Sequence, residues 1–201
     1  MKYLTQFGII ITIARESGSG GYTVGAMLAK YYGIPIYDQD SLCQMAKEAG
    51  IYDRMPIFFN ELPANGFLFA LSMGADPEKI NKPTTEAFMK LIGNRDCVII
   101  GRCGNYIFRN RKDCVRVFTC GNKEGRIAMK MKYWHLTREE AEDVVFHSDR
   151  NRKDYHKFHT GENWGEAKNY DLCIDALRLG HEKTARLIID YISAVLPGSR
   201  S

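Results

Sequence analysis

Short apolar segments alternate along this chain with segments whose apolar residues recur at the spacing of a helix. Five apolar segments have the length of buried strands, and they comprise residues 7–14, 33–37, 96–100, 114–119 and 170–174. Strands that alternate with helices predict an α/β fold, in which a five-stranded parallel sheet has helices on both faces. Ligands of such folds bind at the carboxyl ends of the strands.

The helix-period segments complete the predicted architecture. They comprise residues 22–32, 40–49, 58–73, 84–92, 104–109, 123–133, 137–158 and 182–196. The string GADPEKINKP at residues 74–83 predicts a turn between the third and fourth of these helices. Thr137 and Glu140 have the spacing of a capping box at the start of the longest helix.

The length of 201 residues predicts a single domain, residues 1–201, with one core. We expect that core in residues 1–38, 95–125 and 162–196. Two helical segments interrupt it, a helical insertion at about 39–94 and a lid region at about 126–161. In α/β enzymes such insertions lie over the binding edge and can close on a ligand. The tail, residues 197–201, is predicted to be frayed.

A glycine cluster, RESGSGG, joins the first strand to the first helix. Gly18, Gly20 and Gly21 can adopt positive φ and turn backbone N–H groups inward, and the N-terminus of the following helix favours an anion. This order predicts a phosphate-binding loop, although a tight connection between strand and helix is the alternative. The full motif G-x-x-x-x-G-K-[ST] requires a lysine where this chain has Gly21.

Basic residues are concentrated in one part of the chain, although the net charge is only +4. Residues 102–153 contain 13 lysines and arginines against 7 acidic residues, a local excess of +6. This excess should attract anions. Basic and acidic residues are mixed there and do not alternate with aromatic residues, so the pattern favours a small phosphorylated molecule over nucleic acid.

The composition is typical of a globular protein, with 45% hydrophobic and 26% charged residues. No apolar run approaches the length of about 18 residues that spans a bilayer, so no membrane association is expected. The six cysteines form no C-x-x-C pair, and four of them fall in or beside predicted strands. This pattern indicates reduced thiols packed as small apolar side chains in a cytoplasmic protein.

Five strings carry a resemblance to nucleoside monophosphate kinases: ITIARESGSGG, IPIYDQD, VIIGRCGNYIF, SDRNRKDY and NYDLCID. With them in this order, the chain most closely resembles the cytidylate kinase-like family over nearly its whole length. The resemblance implies the three-layer α/β/α fold of P-loop NTPases with helical acceptor-binding and lid insertions. It also implies ATP and Mg²⁺ as cofactors.

The resemblance further implies roles on the donor side. The loop that would hold the donor phosphates comprises Ser17, Gly18, Ser19, Gly20, Gly21, Tyr22 and Thr23. The Thr23 hydroxyl would ligate Mg²⁺. Arg126, Arg150 and Arg152 would clamp the transferring phosphate from the lid region, and solvated helix faces are the alternative for these arginines.

On the acceptor side, the resemblance implies that Asp149 orients those arginines or contacts the acceptor nucleoside. Asp38 and Asp40 follow the second strand and would line the acceptor site or hold metal-bound water; capping of the next helix is the alternative. Arg102, at the end of the third predicted strand, is predicted to bind the acceptor.

The chain also departs from the family pattern. Arg15, which precedes the glycines as in the family, is the candidate for supplying the positive charge that the lysine would carry. Cytidylate kinases have Gly-Arg-Asp where this chain has Gly-Arg-Cys at residues 101–103, and they have arginines at Gln44 and Val145. Loss of these polar groups should weaken discrimination in favour of CMP.

These observations lead to one main hypothesis and two rivals. The main hypothesis is a cytoplasmic phosphotransferase that moves the γ-phosphoryl group of ATP to a small acceptor, for which a nucleoside monophosphate is one candidate. The first rival is a non-catalytic nucleotide- or phosphate-binding protein with a degenerate P-loop. The second is nucleic-acid binding through residues 102–153, which would depend steeply on salt.

Overall fold

A parallel β-sheet of five strands forms the centre of the molecule. The computed structural model describes residues 8–59 and 77–196. The strands are β1 (Ile10–Arg15), β2 (Ile36–Tyr37), β3 (Cys97–Ile100), β4 (Cys114–Cys120) and β5 (Leu172–Asp175). Their order in the sheet is β2–β3–β1–β4–β5, and every neighbouring pair is parallel. The predicted α/β fold is therefore confirmed, and each strand overlaps the segment predicted for it.

Helices connect the strands and cover both faces of the sheet. Within the described ranges they are α1 (Gly21–Tyr32), α2 (Gln39–Glu48), α3 (Pro56–Phe59), α4 (Pro77–Ile92), α5 (Gly104–Ile107), α6 (Lys123–Trp134), α7 (Arg138–Thr160), α8 (Ala176–Leu179) and α9 (His181–Val195). Two 3₁₀ turns, Tyr52–Arg54 and Ala167–Asn169, lie between them. Only the first two positions of the helix predicted at 58–73 fall within the described residues. Residue 7, at the start of the first predicted strand, and the tail 197–201 lie outside them.

The long helix α7 begins as its sequence predicts. The Thr137 hydroxyl accepts a hydrogen bond from the Glu140 N–H at 3.3 Å, and the Glu140 carboxylate accepts one from the Thr137 N–H at 2.8 Å. This reciprocal arrangement is a capping box, which satisfies donors that the first helical turn leaves unpaired.

The turn predicted at 74–83 is wrong for its described part, because α4 is helical through Pro83. A proline inside a helix costs about 3 kcal/mol. Contacts with α7 favour the helix nevertheless: the buried Asn81 amide donates to the Phe158 carbonyl at 2.8 Å, and its Oδ1 lies 2.7 Å from His159 Nδ1. Tertiary hydrogen bonding thus overrides the local turn signal. Residues 74–76 lie outside the described ranges.

Two hydrophobic clusters bury the two faces of the sheet. Ile9, Ile11 and Ile13 point into the cluster that contains residues of α1 and α9. Ile10 points to the opposite face, into the cluster formed with residues of α2, α4 and α5. Since helices occupy both faces, a ligand can reach the sheet only at its edges, and in a parallel α/β sheet the carboxyl edge is the binding edge.

All six cysteines are free thiols, and four of them lie within strands of the sheet: Cys97, Cys114, Cys120 and Cys173. Among the described helices, none combines the length and the apolar character needed to cross a membrane.

Candidate active site

The loop between β1 and α1 is held open by two glycines in the left-handed region. Gly18 has φ 83° and Gly20 has φ 84°. A Cβ added at Gly18 would lie 2.5 Å from the Arg126 carbonyl oxygen, and one added at Gly20 would lie 2.0 Å from His181 Nε2. Both positions therefore require glycine, for backbone conformation and for space.

Ser19 anchors this loop to the end of the sheet. Its hydroxyl donates to the Glu16 carbonyl at 2.9 Å and lies 3.0 Å from the Thr119 hydroxyl at the end of β4. The Glu16 N–H donates to the Thr119 carbonyl at 2.9 Å. The loop is thus fixed from behind, which leaves its other side to a ligand.

Most backbone donors of the loop remain available. The Ser17 N–H donates to the Asp149 carboxylate at 2.7 Å, and the Ser19 N–H to the Glu16 carbonyl at 3.2 Å. No described residue accepts a hydrogen bond from the N–H of Gly18 or from those of residues 20–23. These donors lie at the positive N-terminal end of α1, an arrangement that binds anions.

A cavity of about 390 Å³ lies over the loop. One wall is the loop itself, with the exposed Thr23 hydroxyl-bearing side chain in the first turn of α1. Four residues of α6, Met129, Lys130, Tyr133 and Trp134, also line this cavity, as do Arg15, Arg152 and His181. We call this space the loop cavity.

A second, smaller cavity of about 90 Å³ lies at the carboxyl ends of β1 and β3, and we call it the edge cavity. Arg102 and Tyr155 contribute to its wall. Arg15 and Arg152 line both cavities, so two guanidinium-bearing side chains stand where the two spaces meet.

Arg15 extends from the loop to the end of β3. Its Cβ is 2.6 Å from the position that a Cβ on Gly21 would take, and its Nη1 is 2.1 Å from the corresponding position on Gly101. The stem of Arg15 thus fills the space beside Gly21, while its guanidinium lies beside Gly101 at the edge cavity.

Strained backbone places Arg102 at the same edge. Gly101, Arg102 and Cys103 have φ values of 75°, 50° and 54°, and positive φ is uncommon for the last two residue types. The Arg102 guanidinium donates to the Phe58 carbonyl at 2.8 Å and lies 4.7 Å from the centre of the Tyr155 ring. Such strain occurs preferentially at functional sites.

Two buried polar atoms line the edge cavity without a hydrogen-bond partner among the described residues, Asn105 Nδ2 and His156 Nε2. Asn105 is 4% exposed and His156 3% exposed. Burial lowers the pKa of His156 to about 4, so its ring is neutral near pH 7. Because unsatisfied buried polar atoms are costly, they indicate a site that a ligand completes.

Asp149 ties the lid region to the loop. Its carboxylate accepts from the Ser17 N–H, lies 2.5 Å from Arg126 Nη1 and lies 3.4 Å from Arg152 Nη1. The Arg126 guanidinium also donates to the Ser17 carbonyl at 3.2 Å. One carboxylate therefore holds two of the predicted arginines against the loop between β1 and α1.

Three predicted site residues lie elsewhere. The Arg150 side chain is 58% exposed, and its nearest acidic partner is Asp154 at 3.9 Å. Asp38 caps α2, since its carboxylate accepts from the Ser41 N–H at 3.0 Å and from the Ser41 hydroxyl at 2.8 Å. Asp40 is exposed in the first turn of α2. None of the three lines the loop cavity or the edge cavity.

Sequence reasoning missed Lys130, His181, Asn105 and His156. Lys130 carries a signal that could have identified it, because it lies four residues after Arg126 and therefore on the same face of α6. The other three have no such signal. Their role follows from contacts between elements that are distant in sequence.

The described residues contain no group of three or more histidine, cysteine, aspartate or glutamate side chains that could hold a metal ion. Thr23 lines the loop cavity and would fit a Mg²⁺ ion that bound phosphates also coordinate, the usual mode for nucleotide sites. When bound, the ion would neutralise phosphate charge.

Comparisons with solved structures support the fold. A protein from Eubacterium ventriosum, described as uncharacterized, is 29% identical with a TM-score of 0.67, and the match covers 92% of this chain and 98% of that one. Shikimate kinase from Bacteroides thetaiotaomicron is 11% identical with a TM-score of 0.51 over 92% and 98% of the two chains. TT1252 from Thermus thermophilus is 19% identical with a TM-score of 0.50 over 95% and 99%. No curated protein gave a significant match.

The sequence itself matches the model of one protein family. The description of that family is the cytidylate kinase-like family, and the match runs from residue 10 to residue 177. This span includes all five strands, the loop between β1 and α1, and the helices α6 and α7, whose Arg126 and Asp149 contact that loop. Because the match covers far more than half of this chain, the chain belongs to the cytidylate kinase-like family.

Proposed function

We propose that this protein is a phosphotransferase of the P-loop kinase kind, which moves the γ-phosphoryl group of ATP to a small acceptor. The observation that carries the proposal is the meeting of the two cavities at Arg15 and Arg152. Phosphoryl transfer needs donor and acceptor held in line, with positive charge at their boundary. Two guanidinium groups at that boundary suit this requirement.

The loop cavity is the proposed donor site. Its open N–H groups at residues 18 and 20–23 would bind donor phosphates, and Thr23 would face the associated Mg²⁺. Arg126 and Asp149 would position the loop from the lid region, because they contact the Ser17 backbone directly.

The edge cavity is the proposed acceptor site. Arg102 would supply charge, and Asn105 and the neutral His156 would supply hydrogen bonds. A polar, anionic acceptor suits this lining, and a nucleoside monophosphate remains one candidate. Residues 39–94 and 126–161 would act as the acceptor-binding insertion and the lid, since Gln39 from the first segment and Asn151 from the second line this cavity.

The free thiols support a cytoplasmic location. The proposal assigns no catalytic contact to Arg150, Asp38 or Asp40, because these residues line neither cavity.

Titration calorimetry with ATP and Mg²⁺, followed by a phosphotransfer assay over a panel of small anionic and nucleotide acceptors, tests this function. We expect ATP binding and transfer to at least one acceptor. Arg15→Ala should lower kcat by about 10²-fold or more, because it removes a charge at the boundary between the cavities. Arg186→Ala is the matched control, since the Arg186 side chain on α9 is 73% exposed and pairs with Asp190.

Binding of ATP without transfer to any acceptor would favour the non-catalytic rival. Absence of ATP binding would reject the proposed phosphotransferase and the nucleotide-binding form of the rival. Equal activity of the Arg15→Ala and Arg186→Ala proteins would reject the role of Arg15 at the boundary.

A further inference from the structure

Gly21 cannot carry the lysine that the full loop motif requires. A Cβ at this position would lie 2.6 Å from Arg15 Cβ and 2.7 Å from the Thr119 hydroxyl. Neither neighbour is the far end of a flexible side chain, since one is a Cβ and the other is tied to Ser19. The ammonium must therefore come from another element if the loop cavity is to have one.

Arg15 is poorly placed to fill that role in the loop cavity. Its stem passes Gly21, but its guanidinium ends beside Gly101, at the edge cavity. Its charge serves the boundary with the acceptor. Arg152 also lines the loop cavity but lies 3.4 Å from the Asp149 carboxylate, and Lys130 is the lysine in the described lining.

Lys130 lines the loop cavity together with Ser17, Gly18 and other residues of the phosphate-binding loop. It occupies one face of α6 together with Arg126 and Trp134, because the three residues are spaced by four. Arg126 fixes this face against the loop through Ser17 and Asp149. The Lys130 ammonium lies 3.3 Å from the centre of the Trp134 ring, so an aromatic face rather than a carboxylate supports it.

We propose that Lys130 supplies, from α6, the phosphate-binding ammonium that the loop lacks at Gly21. This inference rests on the proposed function and deepens it, because it names the residue that binds the β- and γ-phosphates on the donor side. The geometry also implies that the donor site is complete only while α6 stays against the loop.

The electrostatics of the site agree with this assignment. Burial first, and then the nearby charges of Arg152 and Arg15, lower the pKa of Lys130 to about 8, while the charge of Asp149 opposes them. The ionisable groups that share the loop cavity with Lys130 or act on its charge come from β1, the loop, α1, α6, α7 and α9: Arg15, Glu16, Tyr22, Tyr133, Asp149, Arg152 and His181. The two arginines and the two carboxylates of this set balance each other, so the negative charge of a bound polyphosphate would favour the charged ammonium and bind to it.

Lys130→Met tests the proposal, because methionine keeps much of the stem and removes the charge. We expect the Kd for ATP to rise about tenfold, the Kd for ADP to rise less, and kcat to fall by about 10²-fold. Lys132→Met is the matched control. Lys132 lies on the same helix but is exposed beside the Tyr133 ring, 5.3 Å from its centre, and lines neither cavity.

The pH profile separates a charge role from a structural one. A charged Lys130 is needed for binding, so kcat/KM should fall as the pH rises through about 8 in the original protein. Lys130→Arg should retain activity and lose this alkaline fall, because arginine stays protonated there. Lys130→Met should keep its kcat about 10²-fold lower at every pH while unfolding at the same temperature as the Lys132→Met protein.

The outcomes are distinguishable from failure of the proposed function. If the original protein binds ATP and transfers phosphate while Lys130→Met behaves like Lys132→Met, the Lys130 assignment is wrong and the function stands. If the original protein does not bind ATP, both are wrong. Equal weakening of ATP and ADP binding with an unchanged pH profile would also reject the assignment.

Discussion

At the scale of single residues, Gly21 explains why the loop departs from the full phosphate-binding motif. Position 21 is closed to any side chain by Arg15 Cβ and by the Thr119 hydroxyl. The absence of lysine is thus coupled to the presence of Arg15, whose stem occupies the same space. In this chain the charge is relocated, and the backbone donors are kept.

Restoring the lysine should therefore fail. We expect Gly21→Lys to lower the free energy of unfolding by about 2–3 kcal/mol, because the added Cβ forces Arg15 or Thr119 to move in a packed site. Phosphotransfer should not increase. Urea denaturation and the phosphotransfer assay check these two outcomes.

Gly33→Lys is the control for the substitution itself. No atom lies within 4 Å of a Cβ added at Gly33, and its φ of 66° should cost only about 1–2 kcal/mol. If Gly21→Lys were as stable as the original protein and more active, the coupling between Gly21 and Arg15 would be wrong.

At the scale of elements, the buried histidines His156 and His159 make the packing of α7 against α4 sensitive to acid. The Asn81 amide donates to the Phe158 carbonyl, so its Oδ1 must accept from His159 Nδ1–H. This fixes the tautomer and leaves His159 Nε2 as an unprotonated atom without a partner among the described residues. Burial, and to a smaller extent the charges of Arg102 and His156, lower the pKa of His159 to about 3.

Stability should consequently fall in mild acid. Between about pH 6.5 and pH 3, His159 takes up a proton in the unfolded chain but stays neutral in the folded protein. The contribution of the neutral, buried His159 to stability is therefore full above about pH 6.5 and is lost as the pH falls toward 3. Each such histidine should lower the free energy of unfolding by about 1.4 kcal/mol per pH unit below pH 6. Urea denaturation between pH 7 and pH 4.5 measures this slope.

His159→Gln should reduce the slope of the free energy of unfolding against pH by the contribution of one histidine, about 1.4 kcal/mol per pH unit. His147→Gln should keep the original slope, since the His147 side chain is exposed on the same helix. A His159→Gln protein with the original slope would show that His159 is protonated in the fold or is not buried.

The strands and most helices could be predicted from the sequence because burial on both faces of a parallel sheet leaves a strong periodic signal. The helical residues 77–83 could not, since the contacts of Asn81 with α7 are invisible to a local turn pattern. The conformation of the loop between β1 and α1 was predictable because Gly18 and Gly20 lie close together in sequence directly after the strand, and both adopt positive φ. The edge cavity was predictable only at Arg102, because Asn105 and His156 meet there through the tertiary fold.

At the scale of the whole molecule, the basic excess of residues 102–153 is not spread evenly over a surface. Several of its arginines are paired with carboxylates: Arg111 with Asp113, Arg116 with Asp171, Arg126 with Asp149, Arg138 with Glu124 and Arg150 with Asp154. Arg102, Lys130 and Arg152 line the two cavities, and Arg152 also lies 3.4 Å from the Asp149 carboxylate. This distribution favours a compact polyanion over an extended one.

The salt dependence of binding therefore distinguishes nucleic acid from ATP as the ligand. A protein that neutralises Z phosphates of duplex DNA shows a slope of about −0.9Z in log K against log salt. Because several arginines of this segment are paired with carboxylates and others line the two cavities, this protein should show no saturable binding of a duplex of about 20 base pairs at about 0.15 M salt. ATP binding should persist there, because backbone N–H groups supply much of it. Fluorescence anisotropy with a labelled duplex, alongside calorimetry with ATP, measures both.

A charge variant outside the cavities separates ATP binding from binding of nucleic acid. Replacing Lys123 and Lys132 together by alanine removes two exposed charges from α6 and should leave the Kd for ATP within about twofold, since distant exposed charges are screened at that salt concentration. If duplex binding is instead tight and steeply salt-dependent, and if it weakens in this double variant while ATP fails to displace the duplex, the basic segment is a nucleic-acid surface. In that case the cavities at Arg15 and Arg152 would not explain why positive charge is concentrated in this part of the chain.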